Sequence, residues 1–169
     1  MSTEFSFEHV FRAPSKDAVL SAYFDPDHLA TQDQVADLTD RVVVETHEDD
    51  TIKKTVWTVS AAKSLPLYAR PFVEGGRLKY REQMTWRKAD DQIDLVITPQ
   101  ILGGRVSVNA IYALADIGPG QVRRRYGGTV TVDVKLISGK VERGIVSEIE
   151  KGMPLMFQCT QDWLARKHG

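Results

Sequence analysis

Polar and apolar residues alternate near the amino terminus, where Phe5, Phe7, His9 and Phe11 are interleaved with Glu4, Ser6, Glu8 and Arg12. Successive side chains of a strand point to opposite faces, so this period of two predicts a strand with one buried side and places His9 on that side. Beyond Pro14, Ser15-Lys16-Asp17 offers a cap and an acidic first turn, and Ala18, Val19, Ala22 and Tyr23 form a short helical stripe. Asp25-Pro26 starts a second helix, because aspartate caps well and proline is preorganised for the first helical position.

Across residues 38–136 branched and aromatic residues recur in runs divided by turn chemistry, the pattern of consecutive strands. Residues 41–48 and 51–59 form a hairpin across Asp49-Asp50. Leu78, Tyr80, Met84 and Trp86 share one strand face, as do Ile93, Leu95 and Ile97, and then Val106, Val108, Ala110, Tyr112 and Leu114. The last run adds Val122, Tyr126, Val130, Val132, Val134 and Leu136, with Gly127-Gly128 predicting a bulge or sharp bend where the sheet curls. Between the hairpin and these strands, Leu67, Tyr68, Pro71, Phe72 and Val73 are too apolar for a solvated loop and suggest a packed segment or lid. Over residues 138–167 the period becomes 3.6: Val141, Ile145, Ile149, Met153, Met156 and Trp163 mark one face of a long helix, which Pro154 should kink near Glu150. No repeat or linker interrupts the pattern, so residues 1–169 read as one domain.

Composition narrows the function classes. With 169 residues, 42% of them hydrophobic, the chain can bury a core without disulfides or a metal. A formal net charge of -1 provides no global field to attract nucleic acid. The single cysteine, Cys159, has no intramolecular partner, and Met1-Ser2-Thr3-Glu4-Phe5 carries no basic and apolar leader pattern; a reducing, cytoplasmic setting is expected. No apolar run approaches the roughly 18 residues needed to span a bilayer, so no membrane insertion is expected.

The order of one strand, two short helices, about six strands and a long final helix resembles the START-like superfamily, also called SRPBCC, which includes the birch pollen allergen and lipid-transfer domains. Local text carries the same resemblance: Phe7-Glu8-His9-Val10-Phe11-Arg12-Ala13-Pro14-Ser15, Tyr23-Phe24-Asp25-Pro26-Asp27-His28-Leu29, Ser138-Gly139-Lys140-Val141-Glu142 and Trp163-Leu164. It is most similar to a bacterial branch of unknown function. The implied fold is α+β, a helix-grip arrangement in which a curved antiparallel sheet wraps around the C-terminal helix. The implied function is binding or transport of a hydrophobic small molecule (lipid, sterol-like or polyketide-like) in an internal cavity. Other members are polyketide cyclases or co-chaperone-like modules, and fold alone does not choose among these.

In the carrier reading Tyr80, Met84, Tyr112 and Tyr126 line the sheet side, and Met153, Met156 and Phe157 line the helix side. Methionines suit that role because they adapt to varied apolar shapes. His9, Glu82 and Arg124 supply orienting polarity, giving the usual mixture of a mostly apolar pocket with a few fixed polar groups. Glu82, between Tyr80 and Met84, must be paired, hydrated or protonated, and Arg124 is the inward residue of Arg123-Arg124-Arg125 and a candidate partner. Glu82 or His9 would serve as acid or base in the cyclase alternative, whereas a filled core would suit an interaction module. A non-catalytic role is favoured. There is no Gly-x-Ser-x-Gly elbow, and Cys159 has no evident base. His9, His28, His47 and His168 fall on separate elements, so no metal is expected. Gly103-Gly104 reads as a turn with no phosphate-binding Lys-Ser/Thr after it, and no cofactor is expected.

Overall fold

A computed structural model describes residues 2–63 and 73–169. In chain order it contains β1 (Ser2–Arg12), α1 (Lys16–Tyr23), α2 (Pro26–Val35), β2 (Leu38–Glu48), β3 (Ile52–Ala61), β4 (Lys79–Arg87), β5 (Gln92–Pro99), β6 (Val106–Gly118), β7 (Gln121–Val132) and α3 (Ser138–His168). The strands form one antiparallel sheet in the order β1-β7-β6-β5-β4-β3-β2, so β1 closes the sheet next to the last strand. The helix-grip architecture expected from the sequence is present. The proposed lid residues Leu67, Tyr68, Pro71 and Phe72 lie outside the described residues.

The two short helices start by different means. Asp25 caps α2, its carboxylate accepting from the backbone N–H of Asp27 at 2.9 Å, with Pro26 in the first turn. Ser15 sits at the start of α1 but makes no capping hydrogen bond; the N–H of Lys16 donates instead to the Asp116 carboxylate on β6, at 2.9 Å. A side chain distant in sequence thus does the work expected of the local serine.

Phe11, Val19, Leu20, Ile93, Val122 and Leu164 are buried between the concave sheet face, the short helices and α3. Two buried polar contacts fix α3 in place. Near its start, Glu142 accepts from the Val132 N–H at 3.0 Å and from the Thr3 hydroxyl at 2.9 Å, tying the helix to β7 and β1. Near its end, His28 Nε2 of α2 lies 3.1 Å from the Thr160 hydroxyl. The fully buried positions of α3 therefore include Glu142 and Thr160, which a search for apolar periodicity passes over.

Two sequence expectations change, both on β7. Pairing runs unbroken through Gly127 and Gly128 on both neighbouring strands, so no bulge lies there. A Cβ at Gly128 would come within 2.6 Å of Ala110 Cα, and closer still to the Asn109 carbonyl; the glycine permits close approach of the β6 backbone. Strand β7 ends at Val132, and Leu136 is fully exposed at φ 76°, so Val134 and Leu136 do not extend the inner face. Helix α3 runs through Pro154 as one element, and a Cβ at Gly144 or Gly152 would meet nothing within 4 Å. Tight backbone packing is not the reason for those two glycines.

Candidate functional site

The concave sheet, α2 and α3 enclose a cavity of about 300 Å³, at the lower end of the range for small-molecule sites. Strands β4 to β7 contribute Met84, Leu95, Ile97, Tyr112 and Tyr126, and α3 contributes Ile149, Gly152, Met153 and Met156. The lining extends from the buried Arg124 to the exposed Ala36 at the end of α2, which marks where the cavity meets solvent.

Seven of the ten residues anticipated from the sequence line this space: Glu82, Met84, Tyr112, Arg124, Tyr126, Met153 and Met156. His9, Tyr80 and Phe157 do not. The His9 ring stacks on Phe157 with centroids 4.8 Å apart, and Phe157 also packs on Phe11 at 4.9 Å, so these rings fill the seam between β1 and α3. Tyr80 has the expected parity but lies farther along β4, opposite Val59 and Pro99. Phe157 borders a larger groove of about 750 Å³ over β1 and the end of α3, but that groove is a surface feature flanked by exposed Val10, Arg12 and Gln158.

Glu82 is paired, although not with Arg124. Its carboxylate accepts from Arg41 Nη1 at 2.9 Å, while Nε and Nη2 of Arg41 both donate to Asp33 at 2.7 Å. Both carboxylates hold the arginine in a planar fork that also lies 5.6 Å from the Trp57 ring. The cluster joins α2, β2 and β4 near the open end, with side chains 13 to 18% exposed. Burial disfavours the Arg41 charge, but the Asp33 and Glu82 contacts outweigh it and hold the pKa above its usual value. Arg41 escapes sequence reading because β2 is irregular, and Asp33 because it is one of several polar residues on α2. Asp40 has φ 55°, and the pairing slips between Thr39 and Val42, so alternation through this stretch points side chains the wrong way.

Arg124 is inward, as its parity predicted, and only 2% exposed. Its Nη1 donates to the Tyr23 hydroxyl at 2.7 Å, and its Nη2 lies 3.4 Å from His9 Nδ1. The guanidinium lies 5.0 Å from the Phe11 ring and 5.3 Å from that of Tyr112. Its Nε is buried without a partner among the described residues. Tyr112 stacks on Tyr23 at 5.0 Å and packs on Tyr126 at 4.6 Å. Burial, above all, raises the pKa of Tyr112 and Tyr126, keeping these phenols neutral. Burial and then the charge of Arg124 lower that of His9, so at neutral pH the imidazole is uncharged with Nδ1 free to accept.

The cavity lining contains no histidine, cysteine or serine among the described residues, and Cys159 lies elsewhere, with Sγ 3.5 Å from the Thr31 hydroxyl. Among those residues no group of three His, Cys, Asp or Glu side chains is arranged to hold a metal ion, and no helix is long and apolar enough to cross a membrane.

A family model described as a protein of unknown function, DUF2505, matches residues 6–164. The chain belongs to this family. Among solved structures, this DUF2505 protein is similar to the Zhui aromatase/cyclase from a Streptomyces species, with TM-score 0.69 and 10% identity over 99% of this chain and 96% of that one. Ara h 8.0201 is similar with TM-score 0.65 and 14% identity over 98% of this chain and 99% of that one. A START superfamily protein from Mycobacterium smegmatis matches with TM-score 0.59 and 10% identity over 96% of this chain and 97% of that one. These likenesses establish the START-like fold. No curated protein matches the DUF2505 chain in sequence.

Proposed function

We propose that the protein binds and carries a compact hydrophobic molecule in the cavity between the sheet and α3. The observation that carries this reading is the lining itself: a mostly apolar enclosure of about 300 Å³ whose charged groups fall in two places, around Arg41 and at Arg124. The volume favours a ring-bearing or single-chain molecule over a two-chain lipid, and the likeness to an aromatase/cyclase supports a polyketide-like ligand within that range. A carrier is favoured over an enzyme because neither anticipated acid/base is disposed for the task. His9 stacks outside the lining, and both oxygen-rich groups at the mouth are engaged by Arg41.

Gly152 gives a direct test. It lies on the cavity wall, where a Cβ would meet no atom within 4 Å, so Gly152→Leu fills the space from a position the fold leaves open. Removing a helical glycine also favours the helix by up to ~1 kcal/mol. The unmutated protein is expected to take up the neutral dye N-phenyl-1-naphthylamine at one site, and native mass spectrometry with organic extraction should reveal any copurifying ligand. Gly152→Leu should lose dye uptake while keeping or raising the melting temperature. Undiminished uptake in a stably folded Gly152→Leu protein would overturn the cavity reading.

A further inference from the structure

We infer that the ligand is an anion whose carboxylate-like oxygens sit against Arg124. The inference rests on the cavity reading and adds the ligand's charge to it.

Arg124 is almost fully buried, lines the cavity, and has no carboxylate within salt-bridge distance among the described residues. Its protein contacts are neutral: the Tyr23 hydroxyl, the His9 imidazole and the faces of Phe11 and Tyr112. A guanidinium carries five N–H donors, and here Nε is left with nothing to donate to. A phenol ionises only near pH ~10, so the tyrosines offer dipoles rather than negative charge. A desolvated cation held this way lacks the counter-ion that buried charges normally find.

The two carboxylates in the lining do not fill that role. Asp33 and Glu82 are both in direct contact with Arg41, at the end of the cavity nearer solvent, with side chains 13% and 18% exposed. The surroundings of Arg124 also suit an anion in hydrogen-bonding terms. Tyr112 and Tyr126 line the same space and carry phenolic O–H groups able to donate. A ligand oxyanion would gain charge-assisted bonds from the guanidinium and O–H donation from these phenols, while its apolar body meets Met84, Leu95 and Met153.

The test compares 1-naphthoate with its neutral isostere 1-naphthamide by isothermal titration calorimetry at pH 7, on the full chain. The unmutated protein should bind the naphthoate about tenfold tighter or more, the effect expected of a buried charge-assisted contact. Arg124→Gln should abolish that preference, bringing the two affinities to within about twofold of each other, with Arg124→Lys restoring part of it. Tyr126→Phe supplies a second variant should Arg124→Gln fail to fold, and it should weaken naphthoate more than naphthamide and so narrow the ratio between them. Equal affinity of the unmutated protein for the two compounds overturns the inference, even where the neutral dye still binds and the cavity reading stands. Failure of dye and naphthalenes alike overturns both.

Discussion

Two arginines face the concave side of the sheet, and their surroundings differ in kind. Arg41, near the mouth, is gripped by Asp33 and Glu82 and lies over Trp57. Arg124, deep in the cavity, lies over Phe11 and Tyr112 and is gripped by nothing charged among the described residues. The first cation is consumed by the fold, since it joins α2 to β2 and β4 and settles two carboxylates at once. The second is left for something else to neutralise. A buried charge matched inside the protein signals architecture, whereas one matched by neutral dipoles alone signals a missing partner.

The largest expected effect separates them by stability. Arg41→Ala leaves Asp33 and Glu82 facing each other with no cation, which should cost about 3 kcal/mol, at the lower end for a broken buried pair because the cluster is slightly exposed. Arg124→Met removes a desolvated cation and strands no carboxylate, so relief of desolvation offsets the lost Tyr23 and His9 contacts, and the net change should stay within about 1 kcal/mol. Urea unfolding of both variants measures this. An Arg124→Met protein destabilised more than Arg41→Ala would mean that Arg124 is the structural cation and would reverse the comparison.

The same contrast explains what was legible in the sequence. Arg124 lies on regular β7, where alternation is unbroken, so its inward direction follows from parity, as do those of Tyr112, Tyr126 and Met84. Arg41 lies beside the slip at Asp40, where parity fails, and Asp33 lies on α2, whose polar residues give no sign of facing a cavity. The long helix was legible from its apolar period, but its deepest anchors are Glu142 and Thr160, polar residues whose partners come from β1, β7 and α2. His9 was placed inward by parity, but it is not among the residues that line the cavity. Parity gives the face of a strand, and only packing against α3 decides that Phe157 covers this stretch of it. Regular periodicity transmits direction, whereas bulges and long-range polar contacts carry no local signature.

Acid should loosen the Arg41 end through α2. His28, which joins α2 to α3, is fully buried, and burial pushes its pKa down to about 4 from 6.5, the Ala22 backbone and Asp25 only partly opposing this. Above pH 6.5 the imidazole is neutral whether the chain is folded or not, and its contribution is complete. As pH falls from 6.5 toward 4 the unfolded chain takes up a proton that the folded protein refuses, so stability declines, by about 2 to 3 kcal/mol across the window. Unfolding free energies measured between pH 7 and 5, above the range where most carboxylates titrate, should show this slope. His28→Gln, which retains a group able to bond Thr160, should flatten it; an equal slope in the variant would remove His28 as the cause.

The smallest effect reads the electrostatics at Arg124 directly. His9 has its pKa lowered first by burial and then by the neighbouring guanidinium, whose Nη2 lies 3.4 Å from Nδ1. Arg124→Gln removes the second cause and leaves the first, so His9 should titrate at higher pH than in the unmutated protein while remaining below an ordinary histidine. An anion bound at Arg124 should shift His9 in the same upward direction, because it cancels the positive field without altering the β1 seam where His9 stacks on Phe157. The neutral naphthamide should leave the titration where it was. Following the His9 ring resonances by NMR from pH 4 to 8, with naphthoate, with naphthamide and with neither, therefore reports charge at the buried arginine independently of affinity. Matching curves with naphthoate and naphthamide, both at saturation, would place the ligand's charge away from Arg124 and make the two arginines alike in being satisfied without it.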